Sequence, residues 1–148
     1  MNINTTRFGM IAIQAERIIQ MPYGMIGFPD HKRFVIMPHK ENSPFYWYQS
    51  LDDPELAYVI TNPFFFIPDY VVDLDDRVHV LPWDKADGKH ELALYVIVNI
   101  PKGEPQKMTA NLIGPLVVNS RTRQSVQIVV PDSAYSHRFP LLEPAGAV

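Results

Sequence analysis

The chain has 148 residues, of which 47% are hydrophobic and 20% charged, and its formal net charge is −3. A chain of this length can bury roughly two-thirds of the surface it exposes when unfolded, so the composition predicts one globular domain. It has no cysteine, which excludes disulfides and thiolate metal sites. The negative charge argues against a nucleic-acid backbone as the main ligand and favours basic partners.

Prolines interrupt almost every candidate helix. There are 14 of them, and each removes a backbone donor and clashes with the preceding turn, which excludes long helices. No apolar stretch reaches the ~20 residues of a membrane span, and the opening MNINTTRFGM does not resemble a signal peptide. We therefore expect a cytoplasmic protein with no membrane association.

The first third of the chain predicts short strands and one ordered loop. Residues 7–13 alternate weakly and predict a strand, with residues 16–21 as its hairpin partner. Gly24 and Gly27 lie among large apolar residues, which predicts a loop whose glycines take backbone angles that other residues resist. Residues 33–37 predict the next strand.

The most aromatic run, residues 45–50, precedes an acidic turn and the apolar residues 56–61, a pattern typical of strand, turn and strand. Interleaved aromatics can stack on bases. However, no lysine or arginine lies between Lys40 and Arg77, so packing within a half-buried strand is the preferred interpretation. The adjacent pairs Asp52-Asp53 and Asp75-Asp76 could in principle serve as catalytic acid-base pairs, but neighbouring carboxylates in a turn usually stay solvated.

Three consecutive phenylalanines, Phe64, Phe65 and Phe66, lie in an apolar run bounded by prolines. We expect an extended segment, too short for a helix, in which neighbouring side chains project to opposite sides. At least one ring must then either be covered by a loop or form an exposed apolar binding patch.

Residues 69–76, DYVVDLDD, alternate between acidic and apolar side chains. Asp75 could cap one or two helical turns over residues 77–83. The acidic side chains of this segment, with one tyrosine among them, could form a surface that steers a basic partner, although an ordinary solvated face is the alternative. The residues concerned are Asp69, Tyr70, Asp73, Asp75 and Asp76.

Residues 92–100 are apolar on both sides and predict a central strand. Residues 107–130 hold two β-rich runs joined by the polar turn 119–123, which predicts a hairpin. Gly114 and Pro115 interrupt the first run, so we expect a bend or bulge there. Asn111 and Asn119 flank it, and their amides either bond unpaired backbone groups or contact a ligand.

The tail carries Tyr135, Phe139, Leu141 and Leu142, and we expect it to line one groove together with the three phenylalanines. The pattern as a whole predicts an all-β fold, a small closed or nearly closed antiparallel barrel-like domain with at most one short helix. We expect that domain to span residues 1–142, with residues 143–148 as a frayed tail.

Motifs for catalysis are not found in the sequence. The five histidines are scattered, and there is no phosphate-binding loop or nucleophile elbow. We therefore predict no enzyme, no metal and no cofactor. Two alternatives stay open: a small β-barrel enzyme that uses a flavin, and a direct RNA binder that uses residues 45–48.

The string MTANLIGPLVVN, followed by a basic turn and QIVV, resembles the flagellar assembly factor family FliW. FGMIAI, MPYGMIGFPDHKRFVIM, PFYWYQSLDDPELAYVITNPF and YSHRFPLL are similar to the same family in the same order. There are two departures: Gly114 stands where the family more often has alanine, and the turn 121–125 lacks an expected glycine.

The resemblance implies a barrel-like protein, monomeric by itself, that regulates by binding other proteins. FliW-like proteins bind CsrA, a repressor of flagellin translation, and alternatively bind flagellin, so that exported flagellin frees them to relieve the repression. We accordingly expect the acidic cluster around Tyr70 to contact CsrA. The groove formed by the phenylalanines and the tail would hold an amphipathic flagellin helix.

Overall fold

The computed structural model describes residues 1–72, 92–130 and 135–142. Its strands are β1 (Asn2–Thr5), β2 (Gly9–Ala12), β3 (Ile19–Gln20), β4 (Arg33–Pro38), β5 (Phe45–Ser50), β6 (Ala57–Thr61), β7 (Leu92–Asn99), β8 (Thr109–Ala110), β9 (Leu116–Asn119), β10 (Gln124–Gln127) and β11 (Phe139–Pro140). Single 3₁₀ turns lie at Ala15–Arg17, Pro63–Phe65 and Pro105–Lys107. None of the described segments is α-helical, and none forms a helix long and apolar enough to cross a membrane.

Seven strands form a closed ring in the order β7, β6, β5, β4, β3, β10, β9 and back to β7. Neighbours are antiparallel except β3 and β10, which are parallel and share a single residue pair, Gln20 with Gln124. The strands β8 and β11 extend the sheet from one end of β7. The predicted barrel-like all-β fold is confirmed.

The interior of the ring is filled by side chains from alternate strand positions. Phe34 of β4 and Tyr48 of β5 are both fully buried and stack with ring centroids 4.3 Å apart and planes 3° from parallel. Ile19, Ile60 and Leu116 pack around them. Because every second residue of a strand points the same way, these strands need large apolar side chains at period two.

The strands β1 and β2 form a separate hairpin that packs on the outside of β4 through Ile13, Val35 and Leu51. The sequence-based pairing of residues 7–13 with 16–21 is therefore wrong. Thr5 closes the turn between β1 and β2, because its Oγ1 accepts a hydrogen bond from Phe8 N at 2.9 Å. Residues 16–21 are instead divided between a 3₁₀ turn and β3.

The predicted hairpin in residues 107–130 is confirmed as β9 and β10. Asn119 is fully buried, and its Oδ1 accepts hydrogen bonds from Arg121 N at 2.9 Å and Thr122 N at 3.1 Å. Arg123 takes the left-handed conformation, with φ of 58°, that the turn requires in the absence of a glycine. The structural interpretation of Asn119, as a side chain that bonds turn backbone, is confirmed.

The interruption at Gly114 and Pro115 is a bulge. The strands β8 and β9 both pair with β7, and the chain between them leaves that ladder after Asn111. Asn111 Oδ1 accepts from Ile113 N at 3.2 Å, so this amide also bonds backbone. Gly114 does not have a positive φ. This position needs glycine for space, because a Cβ there would lie 2.8 Å from Asn111 Nδ2.

The loop that follows β3 depends on its glycines, as predicted. Gly24 and Gly27 have φ of 69° and 88°. A Cβ on Gly24 would also lie 2.5 Å from the carbonyl oxygen of Pro29, so this position requires glycine for space as well as for conformation.

Candidate partner-binding surface

The three phenylalanines lie in and just after a 3₁₀ turn, not in an extended segment as the sequence suggested. Asn62 caps the turn, since its Oδ1 accepts from Phe64 N at 2.9 Å, and Pro63 occupies the first helical position. Phe64 and Phe65 are 43% and 67% exposed. Phe66 is half-buried and stacks on Phe45 at 5.9 Å between centroids.

Tyr70 is buried, so its expected place on a partner-facing surface is wrong. Its hydroxyl donates to the carbonyl oxygen of Leu112 at 2.5 Å. Its ring meets Tyr135 edge-on at 4.8 Å and Phe64 at 6.2 Å. Burial and the neighbouring Tyr135 raise the pKa of Tyr70, because both disfavour the phenolate. Tyr70 is thus a buried ring that packs against the exposed Phe64.

The tail docks on the barrel instead of forming an open groove wall. Phe139 pairs with Ala110 across β11 and β8, and its side chain is half-buried. Leu141 is buried in the same apolar cluster as Tyr70, so its expected exposure is wrong. Tyr135 is half-buried, and its hydroxyl accepts from Val71 N at 3.0 Å. Pairing of β11 with β8 directs these side chains toward the core.

A cavity of about 590 Å³ opens beside the exposed rings. Its lining includes Phe64, Phe65, Tyr70 and Val71, together with residues of β7. Val71 is 69% exposed. We call the exposed side chains of Phe64, Phe65 and Val71 the phenylalanine surface. Its three side chains line the same cavity, and exposed apolar patches of this kind can mark protein-interaction sites.

The acidic cluster is described only in part. Asp69 is exposed beside the phenylalanine surface. Asp73, Asp75 and Asp76, and the proposed helical cap at Asp75, lie outside the described residues.

Asp52 is a structural carboxylate. Its Oδ2 accepts from the backbone N–H groups of Lys32 at 2.7 Å and Arg33 at 2.9 Å, and its Oδ1 accepts from Arg33 Nε at 3.0 Å. Desolvation raises the pKa of Asp52, but the three hydrogen bonds and the Arg33 charge outweigh it and hold the pKa below its usual value. The side chain ties the turn after β5 to the start of β4.

Two rings of the aromatic run of β5, those of Trp47 and Tyr48, are already packed against other side chains. Tyr48 is fully buried, and burial raises its pKa. Trp47 projects outward but is covered by the β1–β2 turn. Phe8 packs edge-on at 5.5 Å, and the Arg7 guanidinium lies 4.5 Å from the centre of the indole ring. The run therefore packs as the half-buried strand that the sequence predicted.

The part of the chain that the structure describes contains no group of three histidine, aspartate or glutamate side chains placed to hold a metal ion. Sequence reasoning missed the contacts of Tyr70 with Leu112 and of Val71 with Tyr135. They join residues far apart in the chain, and no local pattern signals such pairs.

Comparison with known proteins gives one consistent result. The family model described as "FliW protein" matches residues 2–141. The chain is 38% identical over 144 residues to the flagellar assembly factor FliW of Magnetococcus marinus, covering 96% of this chain and 85% of that protein. It is 39% identical to that of Syntrophus aciditrophicus, covering 97% and 89%.

The same likeness holds in three dimensions. A crystal structure of the flagellar assembly factor FliW superposes with a TM-score of 0.86 and 31% identity, covering 98% of this chain and 99% of that one. None of these three proteins is described as a flavin enzyme, so they give that alternative no support.

Proposed function

We propose a function for this chain from its family, since it belongs to the FliW family of flagellar assembly factors. The protein regulates flagellin synthesis by binding two proteins, one at a time. One partner is the translational repressor CsrA, and the other is flagellin. Free flagellin would occupy the protein and leave CsrA active. After flagellin export the protein would bind CsrA in the cytoplasm and relieve repression.

The observation that carries the flagellin half of the proposal is the exposure of two adjacent aromatic rings. Phe64 and Phe65 stand 43% and 67% exposed on a capped turn. Exposing such rings is unfavourable unless a partner buries them. An amphipathic helix docks through an apolar stripe, and aromatic anchors contribute most of the affinity in such contacts. We expect the apolar side chains of that helix to occupy the cavity beside the rings.

Phe65→Ala tests this proposal, with Phe66→Ala as its matched control. Phe65→Ala should weaken flagellin binding in calorimetric titration by about 1–3 kcal/mol and leave the melting temperature nearly unchanged. Phe66→Ala should lower the melting temperature, because its ring packs on Phe45, but retain normal affinity per folded molecule. Normal flagellin binding by Phe65→Ala would exclude the phenylalanine surface.

The CsrA half rests on the acidic residues that begin at Asp69. Carboxylates grouped on one surface accelerate the encounter with a basic protein. Reversing the charge at Asp73 and Asp76 together, or at Asp69, should slow association with CsrA and reduce the salt dependence of the association rate. Glu55→Lys, an exposed carboxylate in the β5–β6 turn at the opposite end of β6, serves as the control. Equal rates for the wild type, the Asp variants and this control would contradict the assignment.

The exchange between partners requires that flagellin and CsrA exclude each other. Adding flagellin to a preformed complex with CsrA should release CsrA, and Phe65→Ala should require more flagellin for the same release. A stable ternary complex in size-exclusion chromatography would show instead that both partners bind at once.

A further inference from the structure

A second cavity, of about 290 Å³, lies between the β1–β2 hairpin and the barrel. Residues 11–14 form one wall, residues 35–37 form the other, and Arg17 stands at its border. Each wall is a run of consecutive residues. A strand that presented its face would contribute only alternate residues, so consecutive lining indicates that strand edges border this cavity.

The edge of β4 offers backbone groups here that bond to no other residue in the described part of the chain. The hydrogen bond from Leu51 N to the carbonyl oxygen of Arg33, at 2.9 Å, sets the pairing of β4 with β5. In an antiparallel ladder the residues that face the neighbouring strand alternate with those that face away. Val35 therefore bonds to β5, whereas the N–H and C=O of Ile36 are directed to the opposite edge.

The strand β3, which lies beside β4, ends before it reaches the position opposite Ile36. The strand β3 pairs Ile19 with Phe34, and two residues further along the same register Arg17 would oppose Ile36. Arg17 instead belongs to a 3₁₀ turn, held by the hydrogen bond from Ile18 N to the carbonyl oxygen of Ala15 at 3.2 Å. The turn replaces the strand, and the cavity lies where the strand would have continued.

The opposite wall has the same property. Ile13 and Met1 exchange backbone hydrogen bonds of 2.7 Å and 3.2 Å, so Ile13 and Ile11 face β1. By alternation, the N–H and C=O of Met10 and Ala12 face away from β1. Of these two residues Ala12 lines the cavity and Met10 does not. The described residues thus place two strand edges with outward backbone groups, at Ala12 and at Ile36, on the two sides of one groove.

We propose that this groove binds an extended segment of a protein partner as an added β-strand, hydrogen-bonded to Ala12 and Ile36, with an acidic side chain of the segment against Arg17. Exposed strand edges are the usual acceptors of such segments. The walls supply apolar side chains, and the Arg17 side chain forms no ion pair with the described residues. This inference is independent of the phenylalanine surface, which would take a helix.

The test uses the full chain and a blocked six-residue peptide in which valine and threonine alternate before a final aspartate. Amide hydrogen exchange is measured by NMR with and without the peptide. At saturation the exchange rates of the Ala12 and Ile36 amides should fall to roughly one fifth or less of their values without peptide. The exchange rate of the Met10 amide should stay unchanged. The same peptide with every residue N-methylated cannot donate to the carbonyl oxygens of Ala12 and Ile36, and its methyl groups prevent close approach of the backbones, so it should protect neither amide.

Arg17→Glu should weaken binding of the peptide by roughly threefold to tenfold, and Lys102→Glu, with the same change in net charge, should not. Unchanged exchange at Ala12 and Ile36 up to millimolar peptide would overturn the proposal. Protection that appears without peptide and rises with protein concentration would also overturn it, because the occupant would then be a second copy of this chain.

Discussion

Two aromatic runs of this chain, residues 45–48 in β5 and residues 64–66 at the second 3₁₀ turn, have similar compositions and opposite surroundings. In β5 the side chains alternate, so that Tyr48 enters the barrel and stacks on Phe34 while Trp47 lies outside under Arg7 and Phe8. In the turn, two successive rings are exposed and only the third packs inward.

The difference shows that the flanking residues, not the aromatics, decide which rings are buried. Cross-strand pairing on both sides imposes period two on β5. Asn62 and Pro63 impose a 3₁₀ turn on the second run, and its rotation of about 120° per residue, in place of the roughly 180° of a strand, allows two neighbouring rings to reach solvent. Aromatic side chains are consequently buried in one place, where they stabilise the fold, and exposed in the other.

The largest expected effect is at Tyr48. Tyr48→Ala should lower the free energy of unfolding by about 3–5 kcal/mol, because it removes a fully buried ring and leaves a cavity. Urea denaturation measures the loss. Tyr48→Phe keeps the stack with Phe34 and should lose much less. A loss below about 1 kcal/mol for the alanine variant would break the contrast between the two runs.

Phe66 should show an intermediate effect. Phe66→Ala removes a half-buried ring stacked on Phe45 and should cost about 1–3 kcal/mol of unfolding free energy in the same denaturation experiment. Phe65→Ala, at the neighbouring exposed ring, should stay within about 0.5 kcal/mol of the wild type. Equal losses for the two variants would show that the turn does not separate buried from exposed rings.

Asp52 lies just after β5, and its substitution tests how strongly the turn at that end of the strand is held. Asp52→Asn should cost about 1 kcal/mol near neutral pH, since it weakens three hydrogen bonds to a partly solvated carboxylate. The folded-state pKa of Asp52 is lowered, so its contribution is present above the unfolded pKa of about 3.9 and is lost as pH falls through the folded pKa.

Unfolding free energies at about pH 7 and about pH 2 check this expectation. The difference between Asp52→Asn and the wild type should shrink on acidification. A difference that stays constant would mean that the carboxylate charge is not what ties the turn to β4.

The smallest expected effect is at Arg7, whose guanidinium lies over Trp47. Arg7→Ala should cost about 0.5–1 kcal/mol, the usual contribution of a solvent-accessible cation–π contact, and should change the tryptophan emission. Lys40→Ala, at another exposed cation, controls for the loss of charge. Emission identical to that of the wild type would show that the hairpin turn does not cover the indole.

The strands of the barrel wall could be predicted because their signals are local. Short runs of apolar and aromatic residues, bounded by prolines and polar turns, predicted the positions of β4, β5, β6 and β7 closely. The β-rich runs of the β9–β10 hairpin gave an equally clear signal. The need to cover strand edges then predicted closure.

The parts that sequence reasoning missed depend on contacts between distant segments. Tyr70 looked exposed because acidic residues surround it, yet its hydroxyl bonds to Leu112 beneath the surface. The strand within residues 7–13 was expected, but its partner β1 was missed, because the sequence NINT of β1 carries only one apolar residue. The 3₁₀ turn at the phenylalanines was treated as extended because a single helical turn is too short to leave a periodic signal.

The single residue pair between β3 and β10 also constrains the order of events during synthesis. The backbone of Gln20 bonds to Arg123, about a hundred residues further along the chain. While the chain is being translated, the antiparallel strands β4, β5 and β6 can pair with one another early, because short turns join them. The ring, in contrast, cannot close until the β9–β10 hairpin has left the ribosome. Contacts of such long sequence separation slow folding, so the nascent protein keeps an open sheet edge for most of its synthesis.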